Sequence, residues 1–68
     1  MTQQLQTALA ILRRHQVEAR TGLSRSSIYA LMAKGEFPKP VQLTSKAVGW
    51  RSDSIDLWIG SLTVAVEQ

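Results

Sequence analysis

Apolar positions in this chain come in short patterned stretches divided by turn-forming residues. Leu5, Ala8, Leu9 and Leu12 stand at i, i+3, i+4 and i+7, the spacing of a helical stripe. The stretch is short, terminal and rich in Gln and Thr, so residues 1–10 read as a tail or weak helix. A short strand is expected at residues 11–13. Residues 17–21 predict a helix of little more than one turn, with Val17 and Ala19 as its core candidates. Gly22 follows where a helix end commonly takes a left-handed residue. Leu23 is the apolar plug before the next helix, and Ser24 suits its N-cap, where a hydroxyl accepts from an otherwise unpaired backbone N–H.

The second helix is expected to run to about Lys34. Ile28, Leu31 and Met32 form its inward face, which leaves Arg25, Ser26, Tyr29, Ala30 and Ala33 away from it. Lys34 and Gly35 make a stop, a cation at the negative helix end followed by a glycine. The run FPKP at 37–40 is excluded from helix, because each proline restricts itself and its predecessor. Residues 41–43 and 47–50 then alternate around a polar tip, Thr44-Ser45-Lys46, and predict a β-hairpin. In the last stretch Ile55, Trp58, Ile59 and Leu62 give the cleanest helical stripe, with Ser52 as its N-cap and Asp53 and Asp56 in its first turn. Gly60 weakens this helix by roughly 1 kcal/mol relative to Ala. Trp58 is the largest core candidate, and Trp50 is expected to anchor the core or the hairpin.

Residues 17–35, VEARTGLSRSSIYALMAKG, therefore have the form of a helix-turn-helix, and the hairpin beside it has the form of a wing. The fold class is α+β, mostly helical: a winged helix-turn-helix with a short two-stranded β-hairpin wing and a C-terminal packing helix. The division expected is a tail at 1–10, a DNA-binding domain at 11–62 and a second tail at 63–68.

Length and charge narrow the function classes. At 68 residues there is room for one small domain, without a deep enclosed pocket. Cysteine is absent, so no disulfide or thiolate metal site staples it. No apolar run approaches the roughly 18 residues of a membrane span, and no Lys or Arg precedes the longest, residues 8–12, as a secretory signal would require. A cytoplasmic, nucleoid-associated protein with no membrane partner is expected. The net charge of +3 is unevenly distributed. Residues 1–52 carry eight Lys or Arg against Glu18 and Glu36, a net of +6, while residues 53–68 carry Asp53, Asp56 and Glu67 and no base, a net of −3. A basic excess confined to one segment suits a polyanionic partner, double-stranded DNA in this context.

The series TGLSRSSIY, the GEFPKP junction, AVGWR after the hairpin and an aromatic in the final helix closely resembles the AlpA family of prophage regulators. The likeness runs over about residues 11–62. It implies a winged helix-turn-helix related in shape to excisionases and MerR-type regulators, acting on DNA without catalysis or cofactor, as a transcription regulator of prophage genes or a directionality factor that helps an integrase excise a prophage. Two positions depart from the family pattern. Ala30 stands where a larger, often basic residue is frequent, and Thr44-Ser45 replaces a glycine-containing wing turn.

In a helix-turn-helix the second helix lays its N-terminal part in the major groove. Arg25 lies there, suited to a bidentate guanine contact or a phosphate clamp. Ser26 and Ser27 suit phosphates or base edges, or else serve the helix cap. Tyr29 offers a hydroxyl to a phosphate, or packs. Ala30 meets a thymine methyl or nothing. Lys34 is a phosphate contact or a partner of the helix dipole. Lys46 at the hairpin tip is the wing residue for a minor groove or its phosphates. Lys39 and Arg51 extend the basic surface, unless Arg51 pairs with Asp53 or Glu36. Arg13, Arg14 and Arg20 are lesser candidates. His15, the single histidine, has neither Cys nor paired carboxylates beside it, so it points to no metal and no general base. No serine has a His–acid partnership, so an enzyme is not expected. The competing reading is a protein-interaction module that recruits or inhibits an integrase or a transcription component, or associates with itself on adjacent sites. Its apolar patch would be the stripe at residues 5–12 with Leu62, Val64 and Val66.

Overall fold

The structure, a computed structural model, describes residues 9–65. The elements run β1 (Ile11–Leu12), α1 (Arg14–Thr21), α2 (Arg25–Ala33), β2 (Val41–Thr44), β3 (Ala47–Arg51) and α3 (Ser52–Gly60). Residues 1–8 and 66–68, with Leu5, Ala8 and Val66, lie outside the described residues; Leu9 and Ala10 have no regular structure.

Local chemistry sets the helix ends. The pattern predicts a first helix over 17–21, but α1 begins at Arg14. Its first turn closes because Gln16 Oε1 accepts from the Arg13 N–H at 2.8 Å, a satisfaction that hydrophobic periodicity does not register. Val17 is buried as expected, whereas Ala19 is exposed. The turn into α2 uses Gly22 at φ 77°, whose N–H donates to the Glu18 carbonyl at 2.8 Å. The Thr21 hydroxyl bridges the turn, donating to the Val17 carbonyl and accepting from the Leu23 N–H. Ser24 caps α2, its Oγ accepting from the Ser27 N–H at 3.2 Å. At the far end the Gly35 N–H donates to Met32 and the Glu36 N–H to Leu31, with Gly35 at φ 74°. That pair of bonds is a Schellman closure, and it needs the left-handed residue there.

The hairpin forms as predicted and is joined by a third strand. β3 pairs antiparallel with β2 through Val41↔Gly49, Gln42↔Val48 and Thr44↔Ala47, with an irregularity between Gln42 and Thr44. On its other edge β3 pairs with β1 through Ile11↔Arg51 and Leu12↔Trp50. The short strand expected at 11–13 thus forms over two residues and joins the predicted two-stranded hairpin in one sheet of order β1-β3-β2. Gly49 permits the close approach. A Cβ there would overlap the Ile11 Cγ2 methyl and stand 3.1 Å from the Leu12 carbonyl oxygen.

One side chain from nearly every segment meets in the core: Leu12, Val17, Ile28, Phe37, Trp50 and Ile55, with Leu23, Leu31, Met32 and Trp58 packed around them. Trp50 is 0% exposed, so it, and not the half-buried Trp58, is the largest core residue. Burying such a side chain stabilises by roughly 1.5–3 kcal/mol, so these few contacts hold the domain. Both indoles also fix the irregular link between α2 and the hairpin. Trp50 Nε1 donates to the Pro38 carbonyl and Trp58 Nε1 to the Glu36 carbonyl, each at 2.9 Å. Phe37 meets Trp58 edge to face, 4.8 Å between centroids.

The last helix is shorter than its stripe. It ends at Gly60, so Leu62 falls beyond it and Gly60 is a terminal residue rather than an interior one. Ile55 and Trp58 face inward, while Ile59 and Leu62 are exposed. Ser52 is the first helical residue and not the cap, which is Arg51. The Ser52 hydroxyl instead accepts from the Ala10 N–H at 2.9 Å, and the Ser52 N–H donates to the Ala10 carbonyl at 2.8 Å. This two-way clamp holds the entry to β1 against the start of α3.

Candidate functional site

The exposed side of α2 carries Arg25, Ser26, Ser27, Tyr29 and Ala30, all accessible because Ile28, Leu31 and Met32 take the inward positions. The Arg25 guanidinium lies over the Tyr29 ring, 5.7 Å from its centroid, one helical turn away. The two serines take part in the cap. Ser24 Oγ donates to Ser27 Oγ at 3.0 Å and stands 3.3 Å from Ser26 Oγ. Their exposure still leaves hydroxyl lone pairs and protons facing solvent. Lys34 is exposed at the C-cap of α2, and Lys39 is exposed between the two prolines of the link.

Lys46 stands exposed at the hairpin tip, where its backbone N–H donates to Thr44 Oγ1 at 3.1 Å. The Thr44-Ser45 turn thus closes with a side-chain oxygen in place of a glycine. Tyr29 and Lys46 belong to different elements, yet both line one open cleft of about 330 Å³. The other walls are Arg13, Arg14 and His15 at the start of α1, and Ala47, Val48 and Trp50 of β3. Arg13 is fixed there, its Nε donating to the Val48 carbonyl at 3.1 Å. Sequence pattern ranks Arg13 and Arg14 low and gives His15 no role. The available signal was the RRH run itself, which spans the start of α1 directly after a strand whose partner is some forty residues away.

Three candidates are paired with carboxylates. Arg20 pairs with Asp56 of α3 at 2.8 Å, and Arg51 pairs with Asp53 through two hydrogen bonds of 3.0 and 2.9 Å. Arg14 pairs with Glu18, one turn on. Among the described residues, Arg13, Arg25, Lys34, Lys39 and Lys46 have no carboxylate within 4 Å. The Arg51 hydrogen bond holds the Asp53 carboxyl below the usual carboxylate range and raises Arg51 in turn. A depressed carboxyl contributes stability above its unfolded pKa and loses it only as pH falls through the folded one, so this pair stays ionised at neutral pH. Both partners are solvent-exposed, and screening keeps the contribution small.

The same residues carry a family signature. Residues 10–63 match the family model described as prophage CP4-57 regulatory protein (AlpA). The chain belongs to the AlpA family. Over 38 residues it is also 50% identical to an uncharacterized protein, ORF88, of Enterobacteria phage P4. That match covers 56% of this chain and 43% of the phage protein, so the chain matches less than half the length of that curated relative. The AlpA match spans every described element from β1 to α3 and includes both walls of the cleft. Among the described residues no three His, Cys, Asp or Glu are grouped to hold a metal ion, and no helix is long and apolar enough to cross a membrane.

Proposed function

We propose that this AlpA-family protein binds double-stranded DNA sequence-specifically and acts on prophage genes, as a transcription regulator or as an excisionase-type directionality factor. The observation that carries the proposal is the shared cleft: Tyr29 from the second helix and Lys46 from the wing tip line it together, with Arg13 and Lys46 in that lining free of carboxylates among the described residues. A duplex needs a helix for its major groove and positive charge for its backbone, and the cleft offers both. Arg25 at the start of α2 is the base-reading residue, held in place by Tyr29. Ser26, Ser27 and Ala30 line the same edge, and Lys46, Lys34 and Lys39 meet phosphates. Arg20 and Arg51 take the lesser part, since each already holds a carboxylate.

The test begins with selection of bound duplexes from a random pool, followed by affinity measurements on the selected and an unrelated duplex. Arg25→Ala lowers the affinity for the selected sequence by roughly 5- to 150-fold, the range of one bidentate base contact, and leaves the unrelated duplex nearly unchanged. Lys46→Ala weakens both by a similar factor. Equal losses on both duplexes for both variants contradict this division.

A second reading has its own support. Leu57, Leu62 and Val64 are 76%, 56% and 91% exposed on α3 and the segment after it. These residues suit contact with an integrase, a transcription component or a second copy on an adjacent site. Leu57→Asp with Val64→Asp would then abolish cooperative occupancy of neighbouring sites while single-site affinity holds.

A further inference from the structure

In a duplex, a major groove and the adjacent minor groove are separated by one sugar–phosphate strand. A protein that lays a helix in the first and a hairpin tip against the second must straddle that strand. The space available for it lies between α2 and the wing, and one cleft touches both elements: it is lined by Tyr29 of α2, by Lys46, Ala47 and Val48 at the wing, and by Arg13, Arg14 and His15 at the β1–α1 junction. We infer that this cleft is a seat for the DNA backbone strand dividing the two grooves, and that Arg13 is its principal phosphate-binding residue beside Lys46. The inference rests on the DNA-binding reading above and adds a third contact element, the β1–α1 junction, to the helix and the wing.

Four observations fit a phosphodiester there. Among the described residues no carboxylate lines the cleft. Arg13 is held by its Nε–Val48 bond, so its terminal nitrogens are free to donate from a fixed position, and such preorganisation lowers the entropic cost of a contact. The Tyr29 hydroxyl has no hydrogen-bond partner among the described residues, and the His15 ring supplies an N–H donor in either protonation state. The cleft, about 330 Å³ and open to solvent, is large for one phosphate and suited to a backbone segment running through it. Trp50 also lines it, fully buried and hydrogen-bonded to the Pro38 carbonyl.

The experiment is a scan of neutral methylphosphonate linkages along both strands of the selected duplex, measured with the wild-type chain and with Arg13→Gln. We expect one or two linkages on the strand between the helix-contacted major groove and the wing-contacted minor groove to weaken wild-type binding by about tenfold, the loss of one charge-assisted contact. Arg13→Gln should lower the slope of log K against log salt by about 1 on selected and unrelated duplexes alike. It should also be nearly indifferent to those same linkages. Arg13 bonds to the wing, so folding of the variant is checked by circular dichroism. Should it fail to fold, the wild-type scan decides by position alone. Sensitive linkages lying only outside the dividing strand, or losses that add in Arg13→Gln, overturn the inference while leaving DNA binding intact. A wild-type chain that binds no duplex defeats the underlying reading instead.

Discussion

The arrangement of charge sets how DNA affinity should respond to salt. The chain has eight Lys and Arg. Three of these, Arg14, Arg20 and Arg51, are paired with Glu18, Asp56 and Asp53, which leaves five cations without a carboxylate among the described residues. Arg25 is proposed to read a base, so Arg13, Lys34, Lys39 and Lys46 remain to neutralise phosphates; each releases counterion, and four give a slope of log K against log salt near −3.6, or about a 150-fold loss of affinity between 50 and 200 mM salt. All eight would give a slope near −7 and a loss of about 20,000-fold over the same range. Fluorescence anisotropy with a labelled duplex at five or six salt concentrations separates these values. Arg20 and Arg51 are exposed and Arg14 is half-buried; surface pairs of this kind are worth under about 1 kcal/mol, so the prediction depends on the pairs surviving complex formation rather than on their strength alone. A slope near −7 would show that the pairs open on DNA and refute the count. A slope shallower than about −2 would remove the phosphate backbone as the main partner.

Three stability predictions follow from the packing. Trp50→Ala should cost about 3–5 kcal/mol, close to the whole stability of roughly 3–10 kcal/mol expected at this length, so urea denaturation should find it near unfolded, while half-buried Trp58→Ala costs less; a larger loss at Trp58 would reverse the assignment of the core. Gly49→Ala should destabilise by about 1–3 kcal/mol because its Cβ meets Ile11 and the Leu12 carbonyl. At Gly60 an added Cβ meets nothing within 4 Å, and because Gly60 ends the helix, Gly60→Ala should stabilise by only about 0.5 kcal/mol or less. Thermal melts in which both glycine variants move the same way would contradict that contrast. Ser52→Ala should cost about 1–2 kcal/mol by leaving the Ala10 N–H unpaired, and faster amide exchange at Ala10, rather than fraying of the first turn of α3, is the signature.

What the sequence made legible was local. The α2 cap at Ser24, the Gly35 stop and the inward Ile28, Leu31 and Met32 all follow from neighbours within a few residues, and so does the exposed edge that begins at Arg25. The hairpin was likewise readable from alternation around Thr44-Ser45-Lys46. What escaped depends on distant partners. The short strand expected at 11–13 is present as β1, but its pairing with Trp50 and Arg51 was not readable from neighbouring residues. Trp50 outranks Trp58 in burial because sheet, link and helices enclose it, whereas periodicity sees only the stripe of α3. The ion pairs of Arg20 and the cleft position of Arg13 arise the same way, from contacts between segments some 35 residues apart.

The link at residues 36–40 shows how so small a domain keeps two contact elements in register. It has no helix or strand to stiffen it. Its prolines restrict the backbone, and the two indole N–H groups then fix it at two carbonyls two residues apart, one held from β3 and the other from α3. The distance from Tyr29 to Lys46 is therefore set by the same aromatic residues that fill the core and, in Trp50, line the cleft. In a larger protein, framework and contact surface can be carried by separate residues. With six buried hydrophobic side chains among the described residues, that separation is not available. A change at Trp50 must alter stability and the spacing of Tyr29 and Lys46 together, whereas changes at Arg25, Arg13 or Lys46 can alter the proposed DNA contact while leaving the six-residue core intact.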